Sequence, residues 1–293
     1  MQTIRTIAEL RRALAGARES GPTRGAGERV GLVPTMGALH DGHLSLLAAA
    51  REECDVVVMS LFVNPTQFAA GDDLDSYPRD EQADAELARG AGVDLLFAPS
   101  VAEMYPPGFA TSVIVRGVSE TLEGAKRGAG HFEGVATVVT KLLNIVAPDV
   151  AYFGQKDAQQ AVVIKRLVAD LNLAVRIAVC PTVREADGLA RSSRNAYLTA
   201  EERARAVGLS RALAQAATLI TAGERDSSAS EAAAQRELAA HEIEPEYLDI
   251  VDPETLAAVA EIDGPVLVAV AAKVGRARLI DNVLVSPTRT NGR

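Results

Sequence analysis

Two histidines stand three residues apart in the segment 34–43, PTMGALHDGH, which follows the apolar run Val30–Val33 and precedes Leu44, Leu46 and Leu47. A short strand, a turn containing glycine, and a helix start carrying His40 and His43 together suit the handling of a nucleotide. Gly37 and Gly42 let the backbone approach a ligand with no Cβ in the way. A helix beginning near Asp41 offers N–H groups and the positive end of its dipole to an anion such as a triphosphate. A spacing of three puts both rings on one face of that turn, where they can address the same phosphate. The pair can also be read as half of a zinc site. The chain has only four histidines, however, the others being His131 and His241, and Cys54 and Cys180 are isolated. No metal ligand is assigned.

Three further polar segments follow apolar runs. In FVNPTQF, residues 62–68, the amides of Asn64 and Gln67 both donate and accept, as recognition of a hydroxy acid requires, though the same residues also make a plain Asn-Pro turn. In FGQKDAQQ, residues 153–160, Gly154 permits close approach, Lys156 supplies a mobile cation, and Asp157 can cap a helix or hold a ligand. Gln160 lies one turn on from Lys156. A lysine at a helix start opposes the dipole, and an anionic ligand removes that penalty. In VREADGLARSSRN, residues 183–195, Arg191, Ser192, Ser193 and Arg194 can wrap a polyphosphate, although such a loop is equally at home in solvent. Lys126 and Arg127 precede Gly128–His131, read as a glycine-rich loop able to close over a site. There is no serine-hydrolase elbow, Walker lysine motif or G-x-G-x-x-G fingerprint. The chemistry this set suits is attack by a substrate oxygen on the α-phosphate of ATP, catalysed by positioning and charge stabilisation.

The elements that must position these groups alternate. Val30–Pro34, Val56–Phe62, Val93–Ala98, Val150–Phe153 and Val175–Val179 read as buried strands, with helical patterns at Leu44–Glu53, Glu81–Gly90, Val135–Val146 and Ala158–Leu171. That alternation predicts an α/β fold with a doubly wound, Rossmann-like parallel sheet over residues 1–182, whose ligands bind at the carboxyl ends of its strands. From Thr199 to about His241 two helices are expected, broken at Gly223, the second capped by a serine. Strands at Tyr247–Val251, Val266–Val270 and Leu279–Val285 then predict a smaller α+β domain over 183–293.

Bulk properties set limits. With 293 residues, 48% hydrophobic and 24% charged, the chain can bury a substantial core. A formal charge of −9 argues against a nucleic-acid partner. Two scattered cysteines suit a reducing compartment, and the charged amphipathic start lacks a signal-peptide core. The longest apolar run, Val56–Val63, is too short to span a bilayer. A cytoplasmic protein without membrane partners is expected.

The segments 34–43, 62–68, YPR at 77–79, HF at 131–132, FGQKD with Gln159-Gln160, and READGL through SSRN closely resemble, in order, the pantothenate synthetase (pantoate–β-alanine ligase) family. The resemblance covers the first domain and the junction; the last third matches in length and character only. It implies that pantoate attacks ATP to give pantoyl adenylate and pyrophosphate, and that β-alanine then displaces AMP. It implies ATP contacts from Met36, Gly37, Ala38, Leu39, His40, Asp41, Gly42 and His43, from Gly154, Gln155, Lys156 and Asp157, and from Val183, Arg191, Ser192, Ser193 and Arg194. His43, His40 and Lys156 would be catalytic, with His43 the proton donor. Gln67, Gln160, Asn64 and Arg127 would serve the pantoate side. The family uses ATP with magnesium, is cytoplasmic and forms homodimers. Two departures stand out: Arg191 replaces a common methionine, and Arg127-Gly-Ala-Gly-His131 is one residue longer than the usual Arg-Pro-x-His loop. The acidic residues after YPR match the family's magnesium position poorly, with only Asp84 a candidate, and no protein ligand to magnesium is assigned. An adenylyltransferase acting on another small substrate, and a nucleotide sensor without catalysis, are the competing readings. The Asn64, Gln67 and Gln160 amides and β-alanine-dependent AMP release separate the first from the ligase, and pantoate-dependent ATP–pyrophosphate exchange separates the second.

Overall fold

The computed structural model describes residues 1–19, 28–68, 74, 77 and 79–288, so Pro78 of the YPR segment lies outside the described residues. In chain order the elements are β1 (Gln2–Ile4), α1 (Ile7–Glu19), β2 (Val30–Thr35), α2 (Asp41–Glu53), β3 (Val56–Leu61), a 3-10 turn at Pro65–Gln67, α3 (Glu81–Gly90), β4 (Leu95–Phe97), α4 (Val101–Met104), α5 (Leu122–Arg127), α6 (Ala129–Val146) and β5 (Val150–Gly154). A 3-10 turn at Gln155–Asp157, α7 (Ala158–Asp170), β6 (Arg176–Cys180) and a 3-10 turn at Ser193–Tyr197 follow. The chain ends in α8 (Ala200–Thr221), α9 (Ser227–Ala240), β7 (Pro245–Val251), β8 (Val266–Val274) and β9 (Ala277–Val285). They form two compact units, residues 1–154 with 163–181, and residues 155–162 with 182–293.

The first unit holds a six-stranded parallel sheet of order β1-β4-β3-β2-β5-β6. Consecutive residues Val57, Val58 and Met59 are all fully buried, which requires cover on both faces of the sheet. One of those faces packs Val33, Val57, Met59 and Val150 against Leu46, Leu47 and Ala50 of α2. The chain winds from β2 outward through β3 and β4, and β5 then adds on the other side of β2. The crevice at that reversal, at the carboxyl ends of β2 and β5, is where such sheets bind ligands. It is fed by the turn after Thr35 and by Gly154.

The second unit carries the antiparallel sheet β7-β8-β9, whose Val268 and Val270 pack with Leu209, Leu213 and Ile220 of α8 and Leu238 of α9. A capping box of Thr199 and Glu202 starts α8. The cap of α9 is Asp226 and not a serine: its carboxylate accepts from both the amide and the hydroxyl of Ser228, at 2.9 and 2.7 Å.

Two other expectations change. Helix α6 begins at Ala129, ahead of Val135, and α5 ends at Arg127, so the glycine-rich stretch is a corner between helices, turned by Gly128 at φ +86°. The second change is at the amino terminus, where β1 extends the sheet beyond β4 and α1 follows it. Three residues are too few to show a period, which is why β1 left no sequence signal. No helix among the described residues is long and apolar enough to cross a membrane.

Candidate active site

The turn after β2 is held by a capping box made of the two histidines. His40 is the N-cap of α2, and its Nδ1 accepts from the Gly42 amide at 3.1 Å. His43, at the third helical position, accepts at Nδ1 from the His40 amide at 3.3 Å. The ring centroids are 4.2 Å apart. Because each Nδ1 is an acceptor, each neutral ring carries its proton on Nε2. A Cβ on Gly42 would stand 2.8 Å from His40 Cε1, so the ring can fold back over this helix start only because the residue is glycine.

The expectation of open amides at this helix start is corrected for two of them. The His43 amide donates to the His40 carbonyl at 2.8 Å, and the Gly42 amide goes to the His40 ring. The start of α2 thus carries two imidazoles, each held through Nδ1, in place of a row of bare N–H groups.

Ahead of the histidines, Gly37 and Ala38 have φ of +92° and +53°. Their conformation is held by Asp84 of α3, whose Oδ2 accepts from the Ala38 amide at 2.9 Å and whose Oδ1 accepts from the Leu39 amide at 2.7 Å. Asp84 is buried, and a Cβ on Gly37 would lie 2.8 Å from its Oδ2. Two converging amides form a nest for this carboxylate. The residue considered in the sequence only as a neighbour of a magnesium position is thus a clamp on the turn.

A second cluster gathers beside the end of β3. Asn64 is 1% exposed, and its Nδ2 donates to Gln67 Oε1 and to the Gly134 carbonyl, both at 3.1 Å. Its Oδ1 accepts from the Tyr105 hydroxyl at 2.8 Å and from the Thr66 hydroxyl at 2.9 Å. Burial raises the Tyr105 phenol above its ordinary range, which keeps it a donor. With its oxygen engaged by Asn64, the Gln67 amide turns Nε2 toward Met36 Sδ at 3.0 Å. The backbone carbonyl of Gln67 accepts from His131 Nδ1 at 2.8 Å, so Nε2 of that ring accepts from Arg127 at 3.3 Å. Met36, Asn64, Gln67, Arg127 and His131 are therefore joined in the first unit. Tyr105 was missed; a tyrosine 41 residues from Asn64 gives no local sign of the partnership.

The second unit assembles the other polar segments. Lys156 Nζ stands 3.8 Å from Asp157 Oδ1 within the turn that precedes α7, and Gln160 lies on the first turn of that helix. The loop 183–195 is folded on itself: the Arg191 amide donates to the Val183 carbonyl at 2.9 Å, and Glu185 and Leu189 close a turn at 2.8 Å. Ser192 caps the turn Ser193–Tyr197 by accepting from the Arg194 amide. Arg184 is structural, a bidentate partner of buried Asp281 at 2.6 and 2.9 Å. Asn282, next to Asp281, donates to the carbonyls of Gln155 and Lys156. Neither β9 residue was singled out in the sequence.

A doubly wound parallel sheet, with an imidazole pair at a helix mouth on its switch strand, defines the class of nucleotide-handling α/β enzymes. Residues 2–284 match the family model described as pantoate-beta-alanine ligase. A pantothenate synthetase of Moorella thermoacetica is 55% identical over 97% of this chain and 99% of its own. The crystal structure of pantothenate synthetase from Thermus thermophilus aligns with a TM-score of 0.87 at 48% identity, over 97% of this chain and 99% of that one. The ligase from Francisella tularensis, crystallised with beta-gamma ATP and beta-alanine, aligns at TM-score 0.77 and 34% identity over 97% of both chains. The chain belongs to the pantoate–beta-alanine ligase family, and it is an enzyme of that kind.

Proposed function

We propose that the enzyme condenses (R)-pantoate with β-alanine in two steps. A pantoate carboxylate oxygen attacks the α-phosphorus of ATP, the bond to the β-phosphate oxygen breaks, and pyrophosphate leaves. The amine of β-alanine then attacks the acyl carbon of pantoyl adenylate, loses a proton, and expels AMP to give pantothenate. The observation that carries this reading is the pair of imidazoles at the mouth of α2, fixed by their own capping box. Donors preset where charge develops stabilise a transition state without reorganisation. The ATP and β-alanine held by the Francisella tularensis relative support the same substrates here.

In this reading residues 1–182 form the catalytic domain and 183–293 a lid domain. Met36 to His43 and Gly154 to Asp157 take ATP, with Val183 and Arg191 to Arg194 on the nucleotide. His40, His43 and Lys156 bear on the phosphates, and His43, the family's proton-donor position, donates a hydrogen bond from Nε2. Gln67 and Gln160 read pantoate; Asn64 orients Gln67, and Arg127 acts beside it through His131. Magnesium enters with ATP as part of the substrate. The enzyme works in the cytoplasm as a homodimer, without nucleic-acid or membrane partners.

The test uses wild-type enzyme. Pantoate alone should release pyrophosphate from ATP, and AMP should follow only when β-alanine is added. Release of ADP, or pyrophosphate release that needs β-alanine from the start, would refute the two-step reading.

A further inference from the structure

The structure assigns Asn282 of β9 as a positioning residue for Lys156. Asn282 is buried, and its Nδ2 donates to the carbonyls of Gln155 and of Lys156, each at 2.9 Å. Those two carbonyls belong to the peptide planes on either side of the Lys156 Cα. Each plane is rigid, so fixing both carbonyls fixes φ and ψ of Lys156 and the direction in which its side chain leaves the backbone. The third contact sets the amide's own orientation: Asn282 Oδ1 accepts from Gln155 Nε2 at 3.0 Å. Asn282 is anchored in turn, its amide donating to Asp281 Oδ1 at 2.8 Å while Asp281 holds Arg184.

The chemistry demands an amide here. Two carbonyl oxygens need two N–H donors, and the neighbouring Gln155 side chain needs one acceptor; asparagine supplies all three from one planar group. An aspartate of the same shape would turn a lone pair toward carbonyl oxygens and lose that match. A lysine is a point charge on a flexible stem, so its usefulness to a transferring phosphate depends on where its backbone is held. Asn282 is remote in sequence from the lysine it orients, and nothing local predicts the pairing.

This inference rests on the reading that Lys156 acts in adenylate formation, and the experiment separates the two. Wild-type enzyme, Asn282→Asp and Asn282→Ser are compared in pantoate-dependent pyrophosphate release and, separately, in pantothenate formation from supplied pantoyl adenylate and β-alanine. Asn282→Ser removes both carbonyl bonds without adding charge and carries the test if the aspartate variant does not fold. The expected result is a fall of at least about tenfold in kcat for adenylation, with KM for pantoate within about twofold and the second half-reaction within about threefold of wild type. In a Lys156→Ala background the same substitution should change adenylation by less than about twofold, because the two residues act as one unit. Equal loss in both half-reactions, adenylation within twofold of wild type, or full additivity with Lys156→Ala would overturn the role. Failure of wild-type enzyme to release pyrophosphate with pantoate would instead overturn the proposed function.

Discussion

Replacing Asp84 by asparagine tests how much of the site depends on the clamp behind it. The carboxylate accepts from two amides at 2.9 and 2.7 Å, and it is 3% exposed. Hydrogen bonds to a charged group contribute about 1.5–3 kcal/mol each, and a buried amide left without an acceptor costs about 1–3 kcal/mol. Asp84→Asn keeps one acceptor and turns an NH2 group toward the other amide, so a loss of about 2–4 kcal/mol is expected. Ala38 at φ +53° is in a region that costs a non-glycine residue about 1–2 kcal/mol, and the clamp is what holds it there. Relaxation of that turn moves His40 and His43 with it. If about 3 kcal/mol of the loss is felt at the helix mouth, kcat/KM for ATP falls roughly a hundredfold. The assay is the initial rate of pyrophosphate release against ATP at several magnesium concentrations, with a urea titration alongside. A fall of less than about threefold refutes the clamp argument. So does recovery on adding magnesium, which would make Asp84 a metal ligand.

His43→Ala removes a preset donor, and adenylate formation should slow about a hundredfold to a thousandfold, or about 2.7–4 kcal/mol; single-turnover rates within threefold of wild type would remove the residue from that role. Gln160→Ala should raise the pantoate requirement far more than the ATP requirement, and equal effects on the two KM values would reassign the amide. Acid should selectively weaken the pairing of Glu185. The side-chain hydrogen bond from Arg203 holds this carboxyl below the usual carboxylate range, with Asn195 adding to the effect and burial opposing it. A depressed folded value means stabilisation that is present above the unfolded value, about 4.3 for glutamate, and lost as pH falls through the folded one. Glu185→Gln should therefore be less stable than wild type at pH 7, with the difference shrinking below about pH 4; a difference in urea midpoint that does not change with pH would refute the pairing.

The local patterns were legible because their causes are local. Valine-rich runs of strand length separated by helical patterns gave the parallel sheet, since both faces of such strands are buried and the hydrophobicity is continuous. The antiparallel sheet of the last third was visible for the same kind of reason. The histidine turn and the amide pair could be found because they follow strands directly, and six segments in order were enough to place the chain near its family. Spacing also located the helix start at Asp41, although it could not show that the histidines themselves would use up its amides.

The supporting residues were decided only by the tertiary structure. Asp84 lies 46 residues from Ala38, and Asn282 lies 126 from Lys156. An aspartate in an amphipathic helix and an asparagine in a strand carry no mark of their partners, because hydrogen-bond geometry depends on where the fold brings each backbone. The order of strands was hidden for the same reason: hydrophobic runs report burial, and only long-range pairing chose β5 as the neighbour of β2. Sequence thus determined which polar segments follow the strands, while the tertiary structure decided which buried polar side chains fix their directions, because those directions are set by contacts the chain makes with distant parts of itself.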